Sequence, residues 1–306
     1  MAGGETLPGV SMNWQTQPDR GTPGAIRLIL WITQTIGYTA GRLFLPGIVL
    51  YFLLTSRPTT RSSRQFLQQA RVHRRIRIWN VYLHLWTYAA TLHDRIILTS
   101  GLDPRYHFVT EGFEPVQSAL GRGDGVLLLG SHLGSFEVMR SLGESLSLPL
   151  KIVMHPAEAR PVTAFLEKFR PQGLLSVLRT DDPYAILAMQ THLQSGGLLA
   201  MLADRAPVAS RTWKTGFLGQ TAEFPLTPFY LAARLAPPTF TFFCIQERSR
   251  HYRILIEPLT ARAAPTIEET ALGIGQEYVQ RLEHQARRYP MNWFNFYDFW
   301  RPLDPP

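Results

Sequence analysis

The chain of 306 residues has one cysteine, Cys244, which excludes an intramolecular disulfide framework and any cysteine-rich zinc module. There is no phosphate loop: Gly121-Arg122-Gly123-Asp124-Gly125 lacks the Gly-Lys-Ser/Thr ending and reads as a turn before a strand. Nor is there a Gly-x-Ser-x-Gly elbow, because Gly130-Ser131-His132-Leu133-Gly134 has its serine one place early; a serine hydrolase is disfavoured. His73, His84, His93, His107, His155, His192, His251 and His284 show no ligand spacing, so no metal is expected. Internal repeats and low-complexity tracts are lacking. Acid is scarce at the start: residues 1–110 hold twelve Arg against Glu5, Asp19, Asp94 and Asp103, which accounts for the whole net charge of +8. The remaining residues balance at nineteen of each sign.

A basic N-terminal third implies an anionic partner. Apolar residues at 45% and aromatics at 11% suffice for a core and exclude global disorder. The length suits one large domain, alone or with an appendage. Residues 1–24 are polar and rich in Gly and Pro, with no basic region beside a short apolar core, so no secretory signal is read there. We expect a mobile tail over 1–24, a membrane-anchoring segment over 25–58, and the main domain over 59–306.

The anchoring stretch begins amphipathic, with Arg27, Gln34, Thr35 and Arg42 among Leu28, Ile29, Trp31, Ile32 and Ile36. Leu43 to Leu54 then runs without a charge, interrupted only by Pro46-Gly47. A spanning helix needs about 20 predominantly apolar residues. The segment therefore either lies in the bilayer interface or spans with Arg42 snorkelling or partnered. Arg57, Arg61, Arg64, Arg71, Arg74, Arg75 and Arg77 follow at once, with no acid before Asp94. That pattern reads as contact with anionic lipid on the cytoplasmic side, and no nucleic-acid reader motif accompanies it. Trp79, Tyr82, Leu83, Trp86 and Ala90 recur at helical spacing as a packing stripe or an interfacial one.

From residue 120 short apolar runs alternate with amphipathic stretches. Strands are predicted at 126–129, 150–154, 174–178, 198–202, 240–245 and 252–256, and helices at 136–146, 160–170, 184–194, 225–235 and 267–287. Such alternation predicts an α/β fold: a largely parallel sheet flanked by helices, preceded by the membrane-associated helical segment. In these sheets ligands bind beyond the carboxyl ends of strands. His132 stands at such an end, bracketed by Gly130 and Gly134, with Glu137 five residues on. On one continuous helix five residues diverge by about 140°, so the two meet only if the segment around His132 is a loop. An imidazole steadied by a carboxylate is a general base, and the substrate's own hydroxyl serves as nucleophile. Alone, His132 reads as a buried structural histidine.

This His132-x4-Glu137 pair at a strand end, after a membrane-associated N-terminus, resembles the bacterial lipid A late acyltransferases, the lauroyl/myristoyl transferase family. Leu202-Ala203-Asp204-Arg205, a polar loop, Gly216-Phe217-Leu218-Gly219 and Phe224-Pro225 before an alanine-rich helix are similar to a second region of that family. Tyr252 to Pro258 and Pro290 with Trp293 resemble its later parts, so the likeness spans roughly residues 25–300. The resemblance implies transfer of a fatty acyl group from an acyl carrier protein (or coenzyme A) thioester to a hydroxyl of a membrane glycolipid such as a lipid A precursor. His132 would be the base and Glu137 its support. Asp204, Arg205, Phe217 and Gly219 would serve substrate binding. Arg205 would act on the oxyanion or on a phosphate of the acceptor, with Asp204 as its structural partner. Arg57, Arg61 and Arg64 would meet the anionic surface. The implied partners are anionic membrane lipid, acyl carrier protein as co-substrate and the glycolipid acceptor, with no cofactor and no nucleic acid, at the cell inner membrane. Glycerophosphate-type acyltransferases carry His-x4-Asp and Phe-Pro-Glu-Gly; Glu137 and the order Glu223-Phe224-Pro225 favour the lipid A branch. Asn292 to Trp300 lacks basic residues and looks more like relatives that acylate another polar lipid or a polyene lipid. A membrane-docked binding protein without catalysis is the reading from another class.

Overall fold

A computed structural model describes residues 31–33, 35–73, 75–99, 105–155, 176–207 and 210–301. The expected tail and the helix over 160–170 lie outside these residues, as does the start of the strand predicted from 174. Among the described residues, the N-terminal part holds the helices α1 (Tyr38–Leu43), α2 (Leu45–Thr55), α3 (Arg57–Gln69) and the long α4 (Ile78–Thr99). Pro46 sits in the first turn of α2, where its missing N–H costs nothing, so Pro46-Gly47 does not interrupt the helix. Strand β1 (His107–Glu111) and helix α5 (Glu114–Gly121) follow. The alternating part comprises β2 (Val126–Gly130), α6 (Phe136–Ser145), β3 (Leu150–Met154), β4 (Ser176–Arg179), α7 (Ala185–Gln194) and β5 (Leu198–Leu202). A hairpin of β6 (Thr212–Phe217) and β7 (Gln220–Pro225), helix α8 (Thr227–Leu235), strands β8 (Thr239–Arg248) and β9 (His251–Pro258), and helix α9 (Ile267–Arg288) complete it.

Among the described residues the main sheet has seven strands in the order β1-β9-β8-β2-β5-β3-β4. Five of them, β8 to β4, run parallel; β9 turns back antiparallel to β8, and β1 pairs parallel with β9. The fold is α/β with a largely parallel sheet, as the alternation predicted. β2 is central and wholly buried. Its side chains alternate by the period of two: Leu127 and Leu129 enter one core, Val126 and Leu128 the other. Helices α2, α3, α8 and α9 cover the first face, while α5 and α6 cover the second. Such two-sided burial is why these strands read as unbroken apolar runs.

Two segments differ from expectation. The stretch read as a polar loop after Arg205 forms the β6–β7 hairpin, and Pro225 ends β7 instead of starting a helix. Its two-residue turn, Leu218-Gly219, has φ of 54° and 86°, the geometry whose twist suits a tight hairpin. Strand β1 escaped notice because His107-Phe108-Val109-Thr110-Glu111 is an exposed-edge strand with little apolar signal.

Candidate active site

Register brings the site together. β2 and β5 are parallel, with Gly130 opposite Leu202, and the Ala203 N–H continues the ladder to the Gly130 carbonyl at 2.9 Å. Two residues beyond each strand, His132 and Asp204 therefore stand side by side. The His132 Nδ1 lies 2.9 Å from Asp204 Oδ1, and the His132 backbone N–H donates to Asp204 Oδ2 at 2.9 Å. Asp204 is fully buried, while the His132 side chain keeps 19% of its surface exposed.

Burial alone would raise the Asp204 carboxyl, but the His132 ring and backbone N–H, together with Arg205, outweigh it and hold the carboxyl below its ordinary range. Asp204 is thus an ionised acceptor. It fixes the hydrogen of a neutral imidazole on Nδ1 and puts the lone pair on Nε2.

The carboxylate has its own supports. Asn295 Nδ2 donates to Asp204 Oδ2 at 2.9 Å, and Arg205 Nε donates to Asn295 Oδ1 at 2.6 Å. Arg205 also donates to the Phe294 carbonyl and lies 5.8 Å from the Tyr297 ring centre. Arg205 therefore braces Asp204 through an amide from the C-terminal segment.

That segment also stitches the histidine loop in place. The Phe294 N–H donates to the His132 carbonyl and the Gly134 N–H to the Asn292 carbonyl, both at 2.8 Å. On the other side the Ser135 N–H donates to the Cys244 carbonyl of β8. Gly134 has φ of +90°, and a Cβ there would come within 2.0 Å of the Cys244 carbonyl oxygen, so only glycine lets the loop pass. Tyr278 of α9 donates to the Gly130 carbonyl at 2.7 Å and pins the strand end.

Glu137 lies in the first turn of α6, buried, with Oε2 3.4 Å from Arg95 Nε of α4. Phe217 is fully buried among Phe224, Trp293, Phe299 and Trp300, and Gly219 belongs to the exposed hairpin turn. Arg57, Arg61 and Arg64 are exposed along α3, remote in sequence from these groups. Asn295 and Tyr278 carried no sequence signal for a role, since an amide in an aromatic run and a tyrosine in a helix are common. The Asp204 contact had a signal in principle: an acid two places beyond a buried strand, as His132 is. Among the described residues no group of three or more His, Cys, Asp or Glu suits a metal ion.

The class these features define is an α/β protein carrying a carboxylate-held imidazole on a tight loop at the carboxyl ends of adjacent parallel strands. The model of the bacterial lipid A biosynthesis acyltransferases matches residues 65–302, and the chain belongs to that family. Comparison with curated proteins gave no match. Membership makes the chain an acyltransferase of the lipid A type.

Proposed function

We propose that the chain moves a fatty acyl group from a carrier protein thioester to a hydroxyl of a membrane glycolipid, a lipid A precursor, on the cytoplasmic side of the inner membrane. The observation that carries this reading is the Asp204–His132 pair. In the reaction Nε2 of His132 takes the proton of the acceptor hydroxyl as its oxygen attacks the thioester carbonyl. The ring becomes imidazolium, and Asp204 stabilises the charge through Nδ1–H. The tetrahedral oxyanion collapses, the carbon–sulfur bond breaks, and the thiolate recovers the proton from Nε2. Atoms and charge balance with the carrier thiol and an ester as products. Glu137 adds a second carboxylate to the base, itself steadied by Arg95. Arg205 holds the Asp204–Asn295 unit and contributes positive potential to the pocket that receives the acceptor.

The test is mass spectrometry of membrane lipids from cells with the protein, without it, and with His132→Ala. We expect one acyl mass increment, present only with the unsubstituted chain, while His132→Ala retains its circular dichroism spectrum. Unchanged turnover in that variant overturns the catalytic reading and leaves a lipid-bound scaffold. An increment on a lipid other than a lipid A precursor keeps the chemistry and changes the acceptor.

A further inference from the structure

Residues Tyr38–Thr55 are, by length and composition, long and apolar enough to cross a membrane. Their packing argues for another placement. Leu45 and Val49 of α2 are buried, and Val49 belongs to a core shared with Phe66, Leu67, Val81 and Leu85 of α3 and α4. Leu43, Phe44, Leu50, Tyr51 and Leu54 are exposed. Their spacing traces one stripe at the helical period, so the helix has a protein side and an outer apolar side.

Both ends of the segment formed by α1 and α2 are tied to the same body. At its start Tyr38 donates to the buried Asp94 of α4 at 2.9 Å, and Arg42 pairs with Asp94 at 3.6 Å. Asp94 also receives Tyr106, Gln246 and Tyr252, so this corner is locked to the sheet edge. At its end α3 turns back and buries Ser62, Ser63, Phe66 and Leu67. A crossing helix would separate its ends by about 30 Å of hydrocarbon. Here the two ends meet one protein surface.

Helix α3 carries the complementary charge. Arg57, Arg61 and Arg64 lie exposed on one stripe opposite the buried positions, and Arg71, Arg75, Arg77, Ile78 and Trp79 continue the exposed surface. Because α2 and α3 both pack on α4, their outer faces turn away from it together.

We propose that this surface docks in the plane of one leaflet of an anionic bilayer, with the α2 stripe among the acyl chains, the α3 arginines at the phosphates and Trp79 at headgroup depth. The choice of a bilayer as occupant rests on the lipid-acceptor reading above. A second copy of the chain is disfavoured because it would set one arginine row near another. An acidic carrier protein matches the arginines but leaves the apolar stripe without a role.

Nitroxide labels at single cysteines replacing Leu43, Leu50 and Leu54 test this in the full chain bound to vesicles containing phosphatidylglycerol. Cys244 is buried, and burial pushes its thiol up, so it stays unlabelled. Docking in the plane predicts equal, shallow depths at the three sites. A crossing helix predicts depths spread over about 16 Å between positions 43 and 54, and that result overturns the proposal. Labels that are immobile and unchanged on adding vesicles also overturn it, in favour of a protein–protein face. Replacing Arg57, Arg61 and Arg64 together with Gln should weaken vesicle binding on the order of a hundredfold at low salt, and little at high salt. Unchanged vesicle binding with lost carrier binding overturns the arginine assignment. Depth readings do not depend on turnover, so this proposal and the acyl-transfer reading fail separately.

Discussion

Asp204 and Glu137 are the two carboxylates of the candidate site, yet their surroundings differ. Asp204 touches the imidazole at Nδ1 and at the backbone N–H of the same residue, which sets tautomer and orientation together. Glu137 is engaged by Arg95. Replacing Asp204 with Asn keeps the size but offers Nδ1 no full negative charge, and allows the ring to reverse its tautomer. We expect kcat to fall on the order of 10²- to 10⁴-fold with the fold retained. The pH profile of kcat/KM separates this from a packing defect: losing the carboxylate should lower the apparent pKa of the base, whereas a merely structural role leaves it in place. Glu137→Gln should act more weakly on that pKa. An equal or larger shift with Glu137→Gln would transfer the orienting role to Glu137.

At the scale of elements, the loop between β2 and α6 is held by backbone on both sides, so its shape belongs to its neighbours as much as to its own sequence. Gly134→Ala tests that. The positive φ and the approach to the Cys244 carbonyl together should cost on the order of 2–4 kcal/mol of stability, read by urea unfolding, with a loss of activity larger than the loss of folded protein. Unchanged stability would mean that the loop relaxes freely. These elements also show what the sequence could disclose. The buried strands β2, β3, β5 and β8 were legible because burial on both faces writes them as apolar runs. His132 and Glu137 were legible through the strand end and the flanking glycines. The pairing of His132 with Asp204 was not, because it depends on β5 lying next to β2, and strand order is absent from a one-dimensional pattern. The β6–β7 hairpin was hidden for a similar reason: only Phe217, Leu218, Ala222, Phe224 and Pro225 of the two strands and their turn are buried, too few to show clear alternation.

Over the whole molecule, the N-terminal helices and the C-terminal segment meet through buried histidines, and this makes the fold sensitive to acid. His84 of α4 is fully buried, with Nε2–H donating to the Trp293 carbonyl at 2.6 Å and Nδ1 accepting from the Ser63 hydroxyl at 2.8 Å. It therefore joins α3, α4 and the strip of chain that binds the His132 carbonyl. His93 of α4 faces Thr33, with Asp94, Arg42 and Arg250 nearby. Burial lowers both histidines to about 4; the Trp293 carbonyl at His84 and the Asp94 charge at His93 oppose this only in part. The unfolded chain binds the proton near 6.5, so between 6.5 and 4 it holds more protons than the folded chain. Stability is then complete above about pH 6.5 and falls as the pH drops toward 4, by about 2 kcal/mol per histidine at pH 5. Urea unfolding at pH 7.5 and pH 5 measures the drop. His84→Asn should be less stable at pH 7.5, having lost the bridge, but should lose less on acidification, the remainder coming from His93 and from His192, which burial also lowers. If wild type and variant lose equal stability between the two pH values, His84 is not the group that titrates, and the link between the helical arm and the His132 loop is not acid-sensitive.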